Sequence, residues 1–287
     1  MLYLLLSILC STLLVVLLRG FSIWKIESTH AIIYNYIFCV ITGLFFVDDF
    51  SVFAQLPSWN GFPIVIALGF GFILTFILTG KTAVMSGIVT TSIATKLSFV
   101  IPVVIALFLY NDSFTLYKII GVLSAIVAVY LIAYEKQGAH TTSNKSFVII
   151  YPFLIFIGNG LCDATFNYIQ KKRMPIGWDH PVIITIFAVA MLVGWLLNFY
   201  KKEMYQWKNI AAGILLGIPN YFSLYFLLKT LNTLTWQSSV IFPINNLGIV
   251  CLSAFTGFVL FKEKFNARKL IGFILAIASI VIIGFLK

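Results

Sequence analysis

Runs of about twenty apolar residues follow one another along this chain with scarcely a polar interval between them. A helix needs roughly 20 mostly apolar residues to cross a bilayer's hydrocarbon core. Ten segments meet that length: 2–18, 30–47, 61–79, 84–109, 115–134, 147–169, 181–199, 209–228, 235–260 and 267–286. Charges or polar turns mark the gaps, as at Asp48-Asp49, Asn111-Asp112 and Glu135-Lys136. Two gaps are short, Gly80-Lys81-Thr82 and Lys229 to Leu234, and are expected to be tight turns between antiparallel neighbours.

Composition agrees. Apolar residues make up 61% of the 287 and charged residues 10%, with a mean hydropathy of +1.04. Soluble domains carry about 25% charged residues. The expected class is an all-α membrane protein of ten transmembrane helices. Residues 1–18 lack the charged start and small-residue cleavage site of a signal peptide, and read as the first span.

The net charge of +10 does not point to nucleic acid. The basic residues stand in twos and threes between apolar runs (Lys171, Lys172, Arg173; Lys201, Lys202; Lys262, Lys264), as membrane proteins place cytoplasmic charge. Cys10, Cys39, Cys162 and Cys251 lie inside apolar runs without metal-ligand spacing and read as small core residues. No cofactor is expected.

The chain repeats itself. LYNDSFTLYKIIGVLSAIVAVYLI (109–132) aligns without gaps to LFKEKFNARKLIGFILAIASIVII (260–283), matching Lys118 to Lys269, Gly121 to Gly272 and Ala125 to Ala276. A similar offset pairs Leu9-Cys10 with Leu161-Cys162, Gly43 with Gly194, Gly69 with Gly217 and Lys81 with Lys229. The expected division is a first five-helix repeat over 1–136, a linker over 137–146 and a second repeat over 147–287. Five is odd, so the repeats insert with opposite orientation. Inverted repeats that rock about a midplane site are typical of secondary transporters.

The end of each repeat, IPVVIALFLYNDSFTLYKIIGVLSAIVAVYLI (101–132) and CLSAFTGFVLFKEKFNARKLIGFILAIASIVIIG (251–284), resembles the EamA-like branch of the drug/metabolite transporter superfamily. The pattern is an apolar helix, a short turn bearing an acidic residue, and a glycine opening a Gly/Ala-rich last helix. Two features depart from it. The usual Gly-Glu is Asn111-Asp112 in one repeat and Lys262-Glu263 in the other, and Pro102 is matched by Ser253. The resemblance implies a ten-helix transporter with a central cavity, moving metabolites, amino acids or drugs by exchange or ion coupling, in the cell's inner membrane. It also implies both termini inside. The odd-numbered loops hold more of the basic residues, which by the positive-inside rule places both termini outside.

Ionisable groups inside the hydrocarbon are costly and mark functional positions. Lys96 lies about 12 residues from either end of its segment, roughly 18 Å, too deep for a lysine stem to reach water at the surface. It is expected to bind a carboxylate or phosphate, or to sit in a structural ion pair. Asp163 is the second such group. Asn159 and Asn167 stand four residues before and after it, on one helical face, with Ser11 at its position in the first repeat. Two further polar stretches join the candidate set: Gln237, Asn245 and Asn246 around Pro243, and Asn220 and Tyr221 after Pro219. The plain alternative for each is interhelical hydrogen bonding.

The expected function is a secondary transporter for a small anionic or zwitterionic metabolite such as an amino acid, and not an enzyme. Its partners would be that solute and the lipid bilayer, with no nucleic acid; the sequence leaves the oligomeric state open and is compatible with a monomer. The competing readings are a lipid-processing membrane enzyme and a lipid flippase or passive channel. The acidic residues and histidines form no D-x-x-D or H-x-x-x-H pattern for the first.

Overall fold

The computed structural model describes residues 1–109, 116–133, 145–175, 177–198, 206–233, 238–263 and 266–285. All of its regular structure is helical. In chain order the helices are α1 (Leu2–Ile23), α2 (Ser28–Leu44), the short α3 (Val52–Gln55), α4 (Phe62–Leu97), α5 (Val100–Leu109), α6 (Leu116–Ala133), α7 (Lys145–Lys172), α8 (Asp179–Asn198), α9 (Trp207–Thr233), α10 (Ser238–Phe261) and α11 (Ala267–Phe285). Among the described residues, five stretches are long and apolar enough to cross a membrane: Leu2–Ile23, Phe62–Pro102, Asp179–Asn198, Trp207–Leu227 and Ile244–Phe261. Ser28–Leu44, Ile119–Leu131 and Ile150–Phe166 are apolar but shorter. Large apolar side chains such as Leu9, Leu123, Leu196, Phe255 and Ile274 face outward. In water that surface would be costly; against lipid tails it costs nothing.

Two boundaries differ from the sequence expectation: α9 stays helical from Lys229 to Thr233, where the sequence suggests a turn, and α4 departs further. The helix runs straight through Gly80-Lys81-Thr82 and is broken instead at Gly87, whose φ of 87° and ψ of 173° lie outside any helix. A straight helix of these 36 residues would be about 54 Å long. Contacts with α7 exclude that shape. Thr75, before the break, packs on Gly158, while Ser98 Oγ, after it, lies 3.4 Å from Asp163 Oδ2. Those two α7 positions are separated by about 7.5 Å of helix, whereas Thr75 and Ser98 would be about 35 Å apart along a straight one. The chain doubles back at Gly87, and its two limbs lie side by side. The second limb passes through a local distortion at Ser98-Phe99 into α5, where the Ile101 N–H donates to the Ser98 carbonyl.

A reversal this tight leaves backbone groups without helical partners. Two charged side chains take them up. The Arg19 guanidinium of α1 donates to the carbonyls of Ala83 and Val84 at the end of the first limb. The Glu263 carboxylate accepts the amides of Ile88 (2.6 Å) and Val89 (3.4 Å) at the start of the second. Cation on the C-terminal carbonyls and anion on the N-terminal amides also complement the two helix dipoles. Only glycine fits between them, because a Cβ at Gly87 would lie 2.5 Å from Glu263 Oε1.

The principal packing partners are α2 with α9, α6 with α11, α4 with α7 and α8, α1 with α9 and α10, α2 with α8, and α10 with α4. Glycines make the closest approaches. A Cβ on Gly43 would strike Ile184 and Tyr221, and one on Gly194 would strike Ile33 and come within 3.4 Å of Ile73. On Gly69 it would meet Val189 and the Ile186 carbonyl; on Gly217, Phe38 and the Asn35 carbonyl. The segment between α2 and α4 holds α3 and a 3-10 turn (Leu56–Ser58), tied down by Trp59, whose indole N–H donates to the Arg173 carbonyl. Asn111-Asp112 and residues 137–144 of the expected 137–146 linker lie outside the described residues; 145 and 146 already belong to α7.

Gly87→Ala should destabilise the purified protein by about 1–3 kcal/mol, the cost of a non-glycine residue forced to positive φ. Gly20→Ala, inside regular helix with only ordinary contacts around the added methyl, should cost much less. Thermal unfolding in one detergent checks both, and equal losses would contradict the placement of the reversal.

Candidate functional site

Halfway along the bundle, α1, α2, both limbs of α4, α7, α9 and α10 line a partly open cavity of about 200 Å³. Sites for drug-sized ligands run to roughly 300–1,000 Å³, so this one suits a small solute. Its apolar wall comes from Leu14, Val15, Leu18, Phe72, Phe76 and Leu224. Its polar wall carries two opposite charges, Lys96 and Asp163, with hydroxyls and amides around them.

Lys96 occupies the last turn of the second limb of α4, just before the distortion at Ser98-Phe99. The free carbonyls of a helix end favour a cation there. Asp163 lies on α7, deep in the protein yet accessible from the cavity, and its charge acts on that of Lys96. Ser98 Oγ stands 3.4 Å from Asp163 Oδ2 and 2.6 Å from the Thr95 carbonyl. Its single proton serves one acceptor at a time, so the carboxylate keeps lone pairs for a ligand. Removing either charge would leave the other facing the cavity without its counter-charge.

Hydroxyls complete the polar wall. Thr75, Thr79, Thr95, Ser98, Ser11 and Ser223 all reach the cavity. The threonines return their protons to their own helices, Thr79 to the Thr75 carbonyl and Thr95 to that of Thr91, each at 2.7 Å. Their oxygens therefore present lone pairs rather than hydrogens. Asn159 brings a buried amide nitrogen with no partner, a donor aimed at nothing in the protein. On the α9 side, Asn220 Nδ2 donates to Asn35 Oδ1 at 3.1 Å, which orients the Asn220 amide at the cavity edge. Tyr36 closes the floor, its hydroxyl donating to the Phe72 carbonyl and its ring against Phe187.

Of the residues singled out from the sequence, Lys96, Asp163, Asn159, Asn220 and Asn246 meet at this cavity. Tyr221 and Asn245 do not line it. Tyr221 is buried against Phe46 and Tyr225, with its hydroxyl 3.1 Å from His180 Nδ1, and Asn245 is buried with its side-chain oxygen unpartnered. Adjacent helical residues point about 100° apart, so Asn220-Tyr221 and Asn245-Asn246 each send one member inward. The Asn167 side chain and all of Gln237 lie outside the described residues. Thr75, Thr79, Thr95 and Ser98 were not singled out; their signal was hydroxyls recurring at helical spacing within apolar runs. Among the described residues, no group of three His, Cys, Asp or Glu side chains converges as a metal site would need.

Comparison with known proteins places this arrangement on a recurrent scaffold. No family model matches the chain. An uncharacterized protein of Haemophilus influenzae (strain Rd) is 27% identical over 294 aligned positions, which cover 98% of this chain and 96% of that protein. A protein of known crystal structure superposes over 96% of this chain and 95% of its own, with a TM-score of 0.55 at 11% identity. The likeness at that identity is one of fold.

Proposed function

We propose that the protein is a secondary transporter of ten membrane spans, whose two five-helix halves rock about the central cavity to carry a small anionic or zwitterionic solute. The observation that carries this reading is the cavity itself: Lys96 and Asp163, with lone-pair-rich hydroxyls and the unpartnered Asn159 amide, line a space midway along a bundle of apolar helices. A purely structural ion pair has no use for an empty space beside it. A zwitterion offers a carboxylate to Lys96 and an ammonium to Asp163 and the threonine oxygens.

The ten-span count follows if the two limbs of α4 are separate spans, the second continuing into α5. The other eight would then be α1, α2, α6, α7, α8, α9, α10 and α11. The packing supports inverted halves. Exchanging each helix with its counterpart turns the α2–α9 contact into the contact of α8 with the first limb of α4, and α4–α7 into α9–α1. The glycines follow suit. Gly43 and Gly194, matched by the sequence repeat, meet Ile184 with Tyr221 and Ile33 with Ile73, residues matched by nearly the same offset. Gly69 and Gly217 do likewise with Val189 and Phe38. The Tyr36–Phe187 ring pair, also matched, would lie on the axis.

The symmetry is broken where binding occurs. Asp163 on α7 corresponds to Ser11 on α1, and both reach the cavity. A solute with different ends needs that asymmetry.

Two results should follow. A thermal-shift screen of the purified protein against amino acids, carboxylates, phosphates, sugars and organic cations should yield stabilising ligands only among solutes with an anionic group. A ligand at 100 times its Kd stabilises by about 2.7 kcal/mol, a readily measured shift. Stabilisation by organic cations alone would overturn the charge assignment. With the best ligand in hand, Lys96→Met should abolish its shift and Asp163→Asn should weaken it, whereas Tyr221→Phe, outside the cavity, should retain it. Wild-type binding by a folded Lys96→Met variant would refute the site.

A further inference from the structure

The Gly87 reversal stands at the end of the cavity bounded by Leu18 and Thr79. Beyond it Phe21, Ile32, Ala83 and Ile88, none with exposed surface, pack in one core with Leu18, and Gly80 is wedged between Leu18 and Ile32. The cavity is therefore sealed towards this end.

What fastens the seal comes from both halves of the chain. Arg19, next to Leu18, holds the carbonyls of Ala83 and Val84. Glu263, in the segment after α10, holds the amides of Ile88 and Val89. Glu263 reaches them because Lys262 takes a left-handed turn (φ 50°) and the Glu263 N–H folds back onto the Gly257 carbonyl. The clasped limb packs Val89, Ile93 and Leu97 in one core with Val250 and Ala254 of α10, and it carries Thr95, Lys96 and Ser98 into the cavity.

We propose that Glu263 is the latch of a gate: while its carboxylate holds the Ile88 and Val89 amides, the cavity is shut at the Gly87 end, and release of those amides lets it open there. This rests on the alternating-access reading above. Three features fit a latch better than a fixed brace. The grip consists of hydrogen bonds to free amides, which water can replace once the limb moves. The carboxylate also has a second partner, since Lys269 Nζ is 3.8 Å from Glu263 Oε2, and both side chains are at least nine-tenths buried. On release, Glu263 can close on Lys269, so no unpaired charge is left buried. Finally, Gly87 offers no side chain to obstruct the carboxylate as it leaves or returns.

Cys162 borders the cavity but is buried, with its sulfur against Gly71, so its alkylation reports opening of the site. In a background with Cys10 and Cys251 replaced by alanine, Cys39 is fully buried and can stay. Alkylation of Cys162 by a membrane-impermeant maleimide is followed in right-side-out and inverted vesicles. A separate Trp24→Cys protein, labelled at the exposed end of α1 next to the reversal, identifies which face carries Gly87. From that face, Glu263→Gln should raise the alkylation rate at least about tenfold, a population shift of about 1.4 kcal/mol. Glu263→Asp keeps the charge but is too short to span both amides, and should raise it in the same direction if the glutamine variant does not fold. Unchanged labelling in a folded variant overturns the latch. The readout needs no transport: absent ligand binding with faster labelling faults the carrier reading, and unchanged labelling with intact binding faults the latch alone.

Discussion

Backbone amides and carbonyls buried among apolar side chains have no water to bond to, and this one constraint shapes the protein around Gly87. A helix satisfies its own backbone groups, but a reversal cannot. Here the carbonyls of Ala83 and Val84 are met by Arg19, and the amides of Ile88 and Val89 by Glu263. Each hydrogen bond to a charged group is worth about 1.5–3 kcal/mol, more than a neutral turn could recover. Because the two charges come from opposite ends of the chain, closing the turn brings α1 and the α10–α11 segment onto α4. That fixes the height and rotation of the limb bearing Lys96.

The cavity depends on the same limb. Were α4 straight, Thr75 and Lys96 would stand about 31 Å apart; folded back, they share one wall. Lys96 then meets Asp163 across a space too small for a large ligand and too polar to be left dry. The apolar wall of Leu14, Phe72, Phe76 and Leu224 excludes bulk water from a solute's body, while the charges and hydroxyls address its ends. Specificity in such a site comes from the penalty for leaving a buried polar group unpaired, which is larger than the reward for pairing it.

Much of this was legible in the sequence, and the failures have physical causes. Apolar run length and charged gaps located nearly every helix, and the repeat paired the glycines that later proved to sit at matching close approaches. Lys96 and Asp163 stood out because charge in an apolar run has few explanations. The reversal was misplaced to Gly80-Thr82 because glycine followed by lysine looks like a surface turn. An exposed Lys81 is in fact tolerated on a continuous helix. What selects Gly87 is Glu263, 175 positions away, and no local pattern carries that information. The threonines of the cavity were overlooked because hydroxyls that bond back to their own helix cost little in an apolar run and so raise no alarm. Tyr221 and Asn245 were included because neighbours in sequence were treated as neighbours on a helical face.

If the cavity serves a solute in turn from both faces, the protein will support counterflow. Proteoliposomes preloaded with the unlabelled ligand are diluted into a trace of the labelled one. A carrier gives transient accumulation of label above equilibrium, saturable in the solute and lost in Lys96→Met. Simple equilibration without overshoot, equally fast in wild type and Lys96→Met, would contradict the account.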